Sequence, residues 1–269
     1  MKSGYIDLRG HQVWSAQWRK PLFTKDHTPV LLLHGGLSST DSWSTAILPA
    51  VKNTHKTYAY DRSAHGRTGS RDGFYHFDFQ TDEAIAYLED VVNGPAHLVG
   101  WSDGGIIALM VAIKRPDLVK SIVAIGTNYH HDCGLIINEE ENQEINISEE
   151  DAARFAKISP DPAHMQEVII RKAYEVWASE PTMTTKELAT IACPVLVLNG
   201  DDEPFSMEHT ASPYESLQDG RLAVIPGASH FAVKEKPELV VPVIKDFLAH
   251  LNYPETKWPN RRRITETAP

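Results

Sequence analysis

Three short clusters in this chain carry residue types that together could perform acyl transfer. The first is Leu98-Val99-Gly100-Trp101-Ser102-Asp103-Gly104-Gly105, a G-x-S-x-G run. A serine hydroxyl is a weak nucleophile until a neighbouring base takes its proton. The base is expected in the second cluster, Pro226-Gly227-Ala228-Ser229-His230-Phe231, and a carboxylate to orient it in the third, Gly200-Asp201-Asp202-Glu203-Pro204. Serine, acid and histidine then occur in an order that works when each sits at the end of a successive strand. His230 stands out among the thirteen histidines by this position. His130-His131 near Cys133 lacks the paired spacing of a structural zinc site.

Acyl transfer also needs donors for the oxyanion of the tetrahedral intermediate. One is the backbone N–H of Asp103, at the start of the helix that follows Ser102. The other is assigned to Gly36 in His34-Gly35-Gly36-Leu37. Asp103 and Leu37 are the expected substrate contacts. Two readings of the Asp103 carboxylate stay open: it caps the helix and favours its dipole, or it attracts a cationic substrate. The acid is also open. Glu203 is favoured over Asp202, and Asp201 ranks last.

These groups need elements to hold them. Tyr5 to Trp18 alternates around Arg9-Gly10 and predicts an antiparallel hairpin. Val30-Leu31-Leu32-Leu33 is apolar without alternation, as a strand covered on both faces must be. A helix is predicted from Asp41 to Val51, a strand over Thr57–Tyr60 and a helix over Asp82–Val92. A strand over Ala96–Gly100 follows, then a helix over Ile106–Ile113 and a strand over Ser121–Ile125. The last strands are Val195–Leu198 and Leu222–Ile225, and Pro237 opens a helix reaching Leu251. Strand-helix alternation implies a mostly parallel sheet with helices on both faces. The rhythm breaks over 127–190, where Ser148 with Asp151 predicts one helix start and Asp161-Pro162 another. The expected division is a core of 1–126 and 191–252, a small helical cap of 127–190 and an extended tail of 253–269.

The chain has 269 residues, 42% of them hydrophobic and 23% charged, as in a globular α/β domain. No apolar run approaches the ~20 residues of a membrane helix. The net charge of −10 speaks against nucleic acid as partner. Arg261-Arg262-Arg263 reads as a solvated end. With two cysteines and no apolar leader at the N-terminus, a cytoplasmic location is expected. The oligomeric state is not readable.

The segments LLLHGGLSSTDSW, AYDRSAHGRTG, LVGWSDGG, CPVLVLNGDDEPF and VIPGASHFAVKEKPELV resemble the α/β-hydrolase superfamily over nearly the whole chain. The resemblance implies the α/β-hydrolase fold, no cofactor, no metal and a small-molecule acyl substrate. It also makes Glu203 a departure, since the family usually places Asp there; Glu is one methylene longer, so its loop must sit back. Members with Asp at the elbow, the haloalkane dehalogenases and epoxide hydrolases, are disfavoured by Ser102. The elbow is similar to that of valacyclovir hydrolase, the biphenyl hydrolase-like protein, in which the matching Asp receives the ammonium of amino-acid esters. The expected function is cleavage of small carboxylic esters, with amino-acid esters as one option. Carbon–carbon hydrolysis, cyanohydrin cleavage, perhydrolysis and a receptor-like role on the same residues remain alternatives.

Overall fold

The computed structural model describes residues 1–19, 28–43, 47–134, 145–252 and 255–258. The triple arginine and most of the predicted tail lie outside these residues, as do Glu139, Glu140, Glu141 and Glu144 of the acidic stretch. Among the described residues eight strands form one sheet: β1 (Lys2–Leu8), β2 (His11–Trp18), β3 (Val30–Leu33), β4 (Thr57–Tyr60), β5 (Ala96–Trp101), β6 (Val119–Ile125), β7 (Val195–Asp202) and β8 (Gly220–Ser229). The order across the sheet is β1-β2-β4-β3-β5-β6-β7-β8. The first two strands form the predicted hairpin, which joins β4 antiparallel, and the remaining neighbours are parallel.

The helices in chain order are α1 (Ile47–Val51), α2 (Phe77–Tyr87), α3 (Asp103–Lys114), α4 (Glu149–Ile158), α5 (Met165–Trp177), α6 (Thr185–Leu188), α7 (Met207–Ser216), α8 (Ala232–Glu235) and α9 (Pro237–Ala249). Side chains alternate across a strand, which explains the unbroken apolar run of β3. Leu31 and Leu33 join a core with Ile107 and Val111 of α3 and Ala84 and Tyr87 of α2. Val30 and Leu32 join a second core on the opposite face, with Val51 of α1 and Val240, Ile244 and Phe247 of α9. Both faces are covered, so neither set of positions tolerates a polar residue. Each such leucine stabilises the fold by roughly 1.5–3 kcal/mol through burial.

Among the predicted boundaries that differ from the structure, three have an identifiable contact as their cause. The helix over Asp41–Val51 is instead a 3-10 turn, Thr40–Trp43, followed by the short α1, with 44–46 outside the described residues. The Asp61 carboxylate takes the Thr40 N–H at 2.7 Å and fixes that turn. Helix α2 starts at Phe77 rather than Asp82, because Glu180 accepts the Phe77 N–H at 2.9 Å. That cap comes from far along the chain and leaves no local pattern. Asp161 does not cap α5, which starts at Met165 after His164. Its carboxylate instead accepts the N–H of Ser70 at 2.8 Å and its hydroxyl at 3.0 Å. Ser148 does cap α4, its hydroxyl taking the Asp151 N–H at 3.1 Å. Among the described residues no helix is long and apolar enough to cross a membrane.

Candidate active site

Ser102 occupies the turn between β5 and α3 with φ 55° and ψ −121°, a conformation costly for any residue with a side chain. The turn is so tight because its neighbours lack side chains. A Cβ at Gly100 would overlap the Gly104 carbonyl, and a Cβ at Gly104 would overlap the carbonyl of Leu33 on the adjacent strand. The Ser102 N–H donates to the Ile125 carbonyl at 2.8 Å, tying the turn to β6. The hydroxyl stands at the C-terminal end of the sheet.

The three clusters meet there. Ser102 Oγ lies 3.0 Å from His230 Nε2, and His230 Nδ1 lies 2.7 Å from Glu203 Oε2. The second Glu203 oxygen accepts the Gly200 N–H at 2.9 Å, which sets the longer side chain back in its own loop. Its side chain is 3% exposed, against 23% for the His230 ring. Trp101 holds the histidine loop from below, its Nε1–H donating to the His230 carbonyl at 3.0 Å. The other carboxylates of the cluster lie elsewhere. Asp201 accepts the N–H groups of Gly227 and Ala228 and thereby pins the loop carrying His230, while Asp202 is exposed. The strand before, β6, is followed by Gly126-Thr127-Asn128 rather than by an acid. A Cβ at Gly126, whose φ is +54°, would sit 3.0 Å from His230 Nδ1, so this glycine makes room for the histidine–glutamate contact.

The His34-Gly35-Gly36 loop presses on the same turn. A Cβ at Gly35 would lie 3.4 Å from Ser102 Cβ, and one at Gly36 would lie 2.5 Å from Asp103 Oδ2. Only glycine brings the Gly36 backbone this close to the helix start, where the Asp103 N–H lacks an intrahelical acceptor. The loop is braced by Arg62, a residue that sequence reasoning did not single out. Its guanidinium is fully buried and donates to the carbonyls of His34 and Gly35 at 2.9 Å each, and to Gln80 Oε1. The Arg62 N–H also donates to His34 Nε2 at 3.1 Å, leaving the Nδ1–H to donate to the Gly35 carbonyl at 2.8 Å. Burial, then the Arg62 charge, holds the His34 pKa well below its usual value, so the ring is a neutral staple.

Asp103 is 5% exposed, and its carboxylate already has partners. Oδ1 accepts the Trp177 indole N–H at 3.1 Å, and Oδ2 lies 3.9 Å from the Arg62 guanidinium. Burial raises the Asp103 pKa, while Arg62 and then the Trp177 hydrogen bond oppose that rise. Trp177 was also missed by sequence reasoning; it ends α5, far along the chain from the elbow it touches. Together Ser102, Asp103, Trp177, Phe205, His230 and Phe231 line a cavity of about 280 Å³. Leu37 does not line it. Leu37 instead lines a neighbouring cavity under α4 and α5, against the expectation that it faces the Ser102 site. No group of three or more potential metal ligands occurs among the described residues.

A sequence profile described as "Alpha/beta hydrolase family" matches residues 30–243. The chain belongs to that family. Among its relatives, "Bifunctional esterase/perhydrolase DCH" of Acinetobacter calcoaceticus is 26% identical over 92% of this chain and 99% of its own. "Serine hydrolase BPHL" of Homo sapiens is 25% identical over 76% of this chain and 73% of its own. Among solved structures, E-2-(acetamidomethylene)succinate hydrolase superposes with a TM-score of 0.72 at 21% identity, covering 93% of this chain and 99% of its own. The last likeness is one of fold. An α/β hydrolase is thus a sheet that carries chemistry at its C-terminal edge, where the three clusters of this chain converge.

Proposed function

We propose that this α/β hydrolase cleaves small carboxylic esters through an acyl-enzyme on Ser102. The observation that carries the reading is the unbroken contact from Ser102 through His230 to buried Glu203. In the proposed first step Ser102 Oγ attacks the ester carbonyl carbon while its proton passes to His230 Nε2. The carbonyl π pair moves to oxygen, giving an oxyanion that the N–H groups of Gly36 and Asp103 would receive. As the oxyanion collapses, the C–O bond to the alcohol breaks and the His230 proton goes to the departing oxygen. A water, deprotonated by His230, then attacks the acyl carbon and releases the acid and the serine hydroxyl. Glu203 stays ionised throughout and keeps the proton of neutral His230 on Nδ1.

The size of the cavity and its aromatic walls suit a compact apolar acyl group. Residues 127–190, with α4, α5 and α6, are proposed as the cap over it. A neutral substrate fits better than a cationic one. An ammonium at Asp103 would have to displace the Trp177 N–H and sit near the Arg62 charge. Asp103 is therefore assigned to holding the cap against the elbow.

A panel of acyl esters on the purified protein, with Ser102→Ala as control, tests the reading. Short-chain ester turnover lost in Ser102→Ala is expected, and an inert native protein would contradict it. An α-amino ester compared with its desamino analogue tests the neutral preference. Equal or better turnover of the desamino ester is expected, whereas an amino preference abolished by Asp103→Asn would overturn the assignment of Asp103.

A further inference from the structure

Near the Ser102 cavity lies a second space, under α4 and α5. That second cavity, of about 210 Å³, lies against the loops that follow β3 and β4. Leu37, Ile147, Phe155, Ile158, Ile169 and Ile170 form apolar walls. Helix α4 contributes Phe155 and Ile158 and has no fully buried residue; Phe155 packs, partly buried, against the small cluster of Ala64, Phe74 and Ile169. A narrow space of about 20 Å³ lies between the two cavities. It shares Leu37, His65 and Ile169 with the second cavity, and Asp103 and Trp177 with the Ser102 cavity. Trp177, held by its hydrogen bond to Asp103, stands with Asp103 between the Ser102 cavity and the narrow space, and Leu37, His65 and Ile169 stand between the narrow space and the second cavity.

Ser38, Ser39, Asn146, Asp151, Arg154 and Gln166 add polar lining, and the buried polar side chain among the lining residues is His65. His65 Nδ1 lies 2.9 Å from the Ser63 carbonyl and must carry the proton that this contact needs. Burial, then the Arg62 charge, pushes the His65 pKa down to about 3, so the ring is neutral. Its Nε2 is then an acceptor, with no hydrogen-bond partner among the described residues. The ring lines both the second cavity and the narrow space. A ligand there meets apolar walls, the His65 acceptor and a polar margin that includes Asp151 and Arg154, a setting that suits an apolar group bearing a hydroxyl or other N–H or O–H donor.

We propose that this cavity is a second substrate subsite, taking the donor-bearing apolar end of an extended ester, and that Trp177 limits passage into it from the Ser102 side. The inference rests on the reading of Ser102 as an ester-cleaving nucleophile. In the native protein this limit favours short esters. Removing the indole opens the Ser102 cavity to the narrow space and toward the second cavity beyond it, and filling the second cavity cancels that gain.

Two measurements separate the subsite from the chemistry. The first compares kcat/KM for methyl ω-hydroxyhexanoate and ω-hydroxyhexyl acetate with that for methyl acetate. Trp177→Ala is expected to raise the ratio for at least one extended ester by about tenfold, the gain expected from burying one or two more methylenes. Adding Ile170→Trp, or Ile158→Trp from the α4 side, should return that ratio toward native. A ratio unmoved by Trp177→Ala, or a gain that survives both fillings, overturns the subsite. The second measurement is calorimetric binding of cyclohexanol to Ser102→Ala protein, which needs no turnover. Binding weakened at least tenfold by Ile170→Trp and by His65→Phe supports the subsite; absent binding, or binding indifferent to both, overturns it. Cyclohexanol bound as expected by a protein that cleaves no ester would leave the cavity assigned and refute the esterase reading alone.

Discussion

At the scale of single residues, the acid was the point where sequence reasoning had least to work with. Three carboxylates stand in a row at 201–203, and spacing alone favours none strongly. Geometry brings Glu203 to His230 and turns Asp201 toward the backbone of Gly227 and Ala228. Glu203→Gln is expected to lower kcat by ~10³–10⁴-fold, because the amide favours the wrong tautomer of His230. Asp202→Asn should stay within about twofold, and the same esterase assay reads both. Arg62 belongs to this scale too. Its role was not legible, since a lone arginine after a strand reads as surface until its carbonyl partners are seen. Arg62→Lys keeps a charge but loses the fork that spans the His34 and Gly35 carbonyls. We expect kcat to fall by roughly 10–10²-fold through a slackened oxyanion loop, with KM little changed. A change in KM alone would contradict that role.

At the scale of elements, the strands were the most legible feature. Val30–Leu33 and Thr57–Tyr60 match their predicted bounds because their apolar runs are short and end at sharp polar turns. The G-x-S-x-G run located the elbow for the same reason: steric demands on three adjacent positions leave a local imprint. Contacts between distant segments leave none. Helix α2 begins at Phe77 because Glu180, more than a hundred residues on, accepts its N–H. The same carboxylate meets His76 Nδ1 at 2.6 Å. Asp161 on Ser70 and Trp177 on Asp103 tie the helices after β6 to the core in the same non-local way. Glu180→Ala is expected to destabilise the first turn of α2 by about 1 kcal/mol, the usual worth of a lost N-cap. Amide exchange should quicken at that turn while α3 keeps its protection. Uniform quickening of both helices would contradict a local cap.

At the scale of the whole molecule, charge and burial set the response to acid. His65 is neutral when folded, with its pKa near 3, and protonates near its ordinary value when unfolded. Unfolding therefore takes up a proton between those limits. The stability this group contributes is complete above about pH 6.5 and is lost as pH falls toward 3. His65→Gln should remove that term and flatten the pH dependence of the urea-unfolding free energy by about 1.4 kcal/mol per pH unit between pH 6 and 4. Parallel profiles for the two proteins would mean that His65 is already charged in the fold. The fold class was legible from the strand-helix rhythm, since each period of the pattern maps to one strand of the sheet and a helix that covers it. The cavity system was not, because its walls come from segments that meet only in the folded chain.

The central claim is that Ser102 becomes acylated. Mixing the protein with an aryl acetate, quenching in acid and mapping the acetyl group by peptide mass spectrometry tests it most directly. The account predicts acetyl on Ser102, formed in a burst stoichiometric with protein and absent from Ser102→Ala. Turnover that persists in Ser102→Ala, or acetyl found on another residue in the burst, would contradict it.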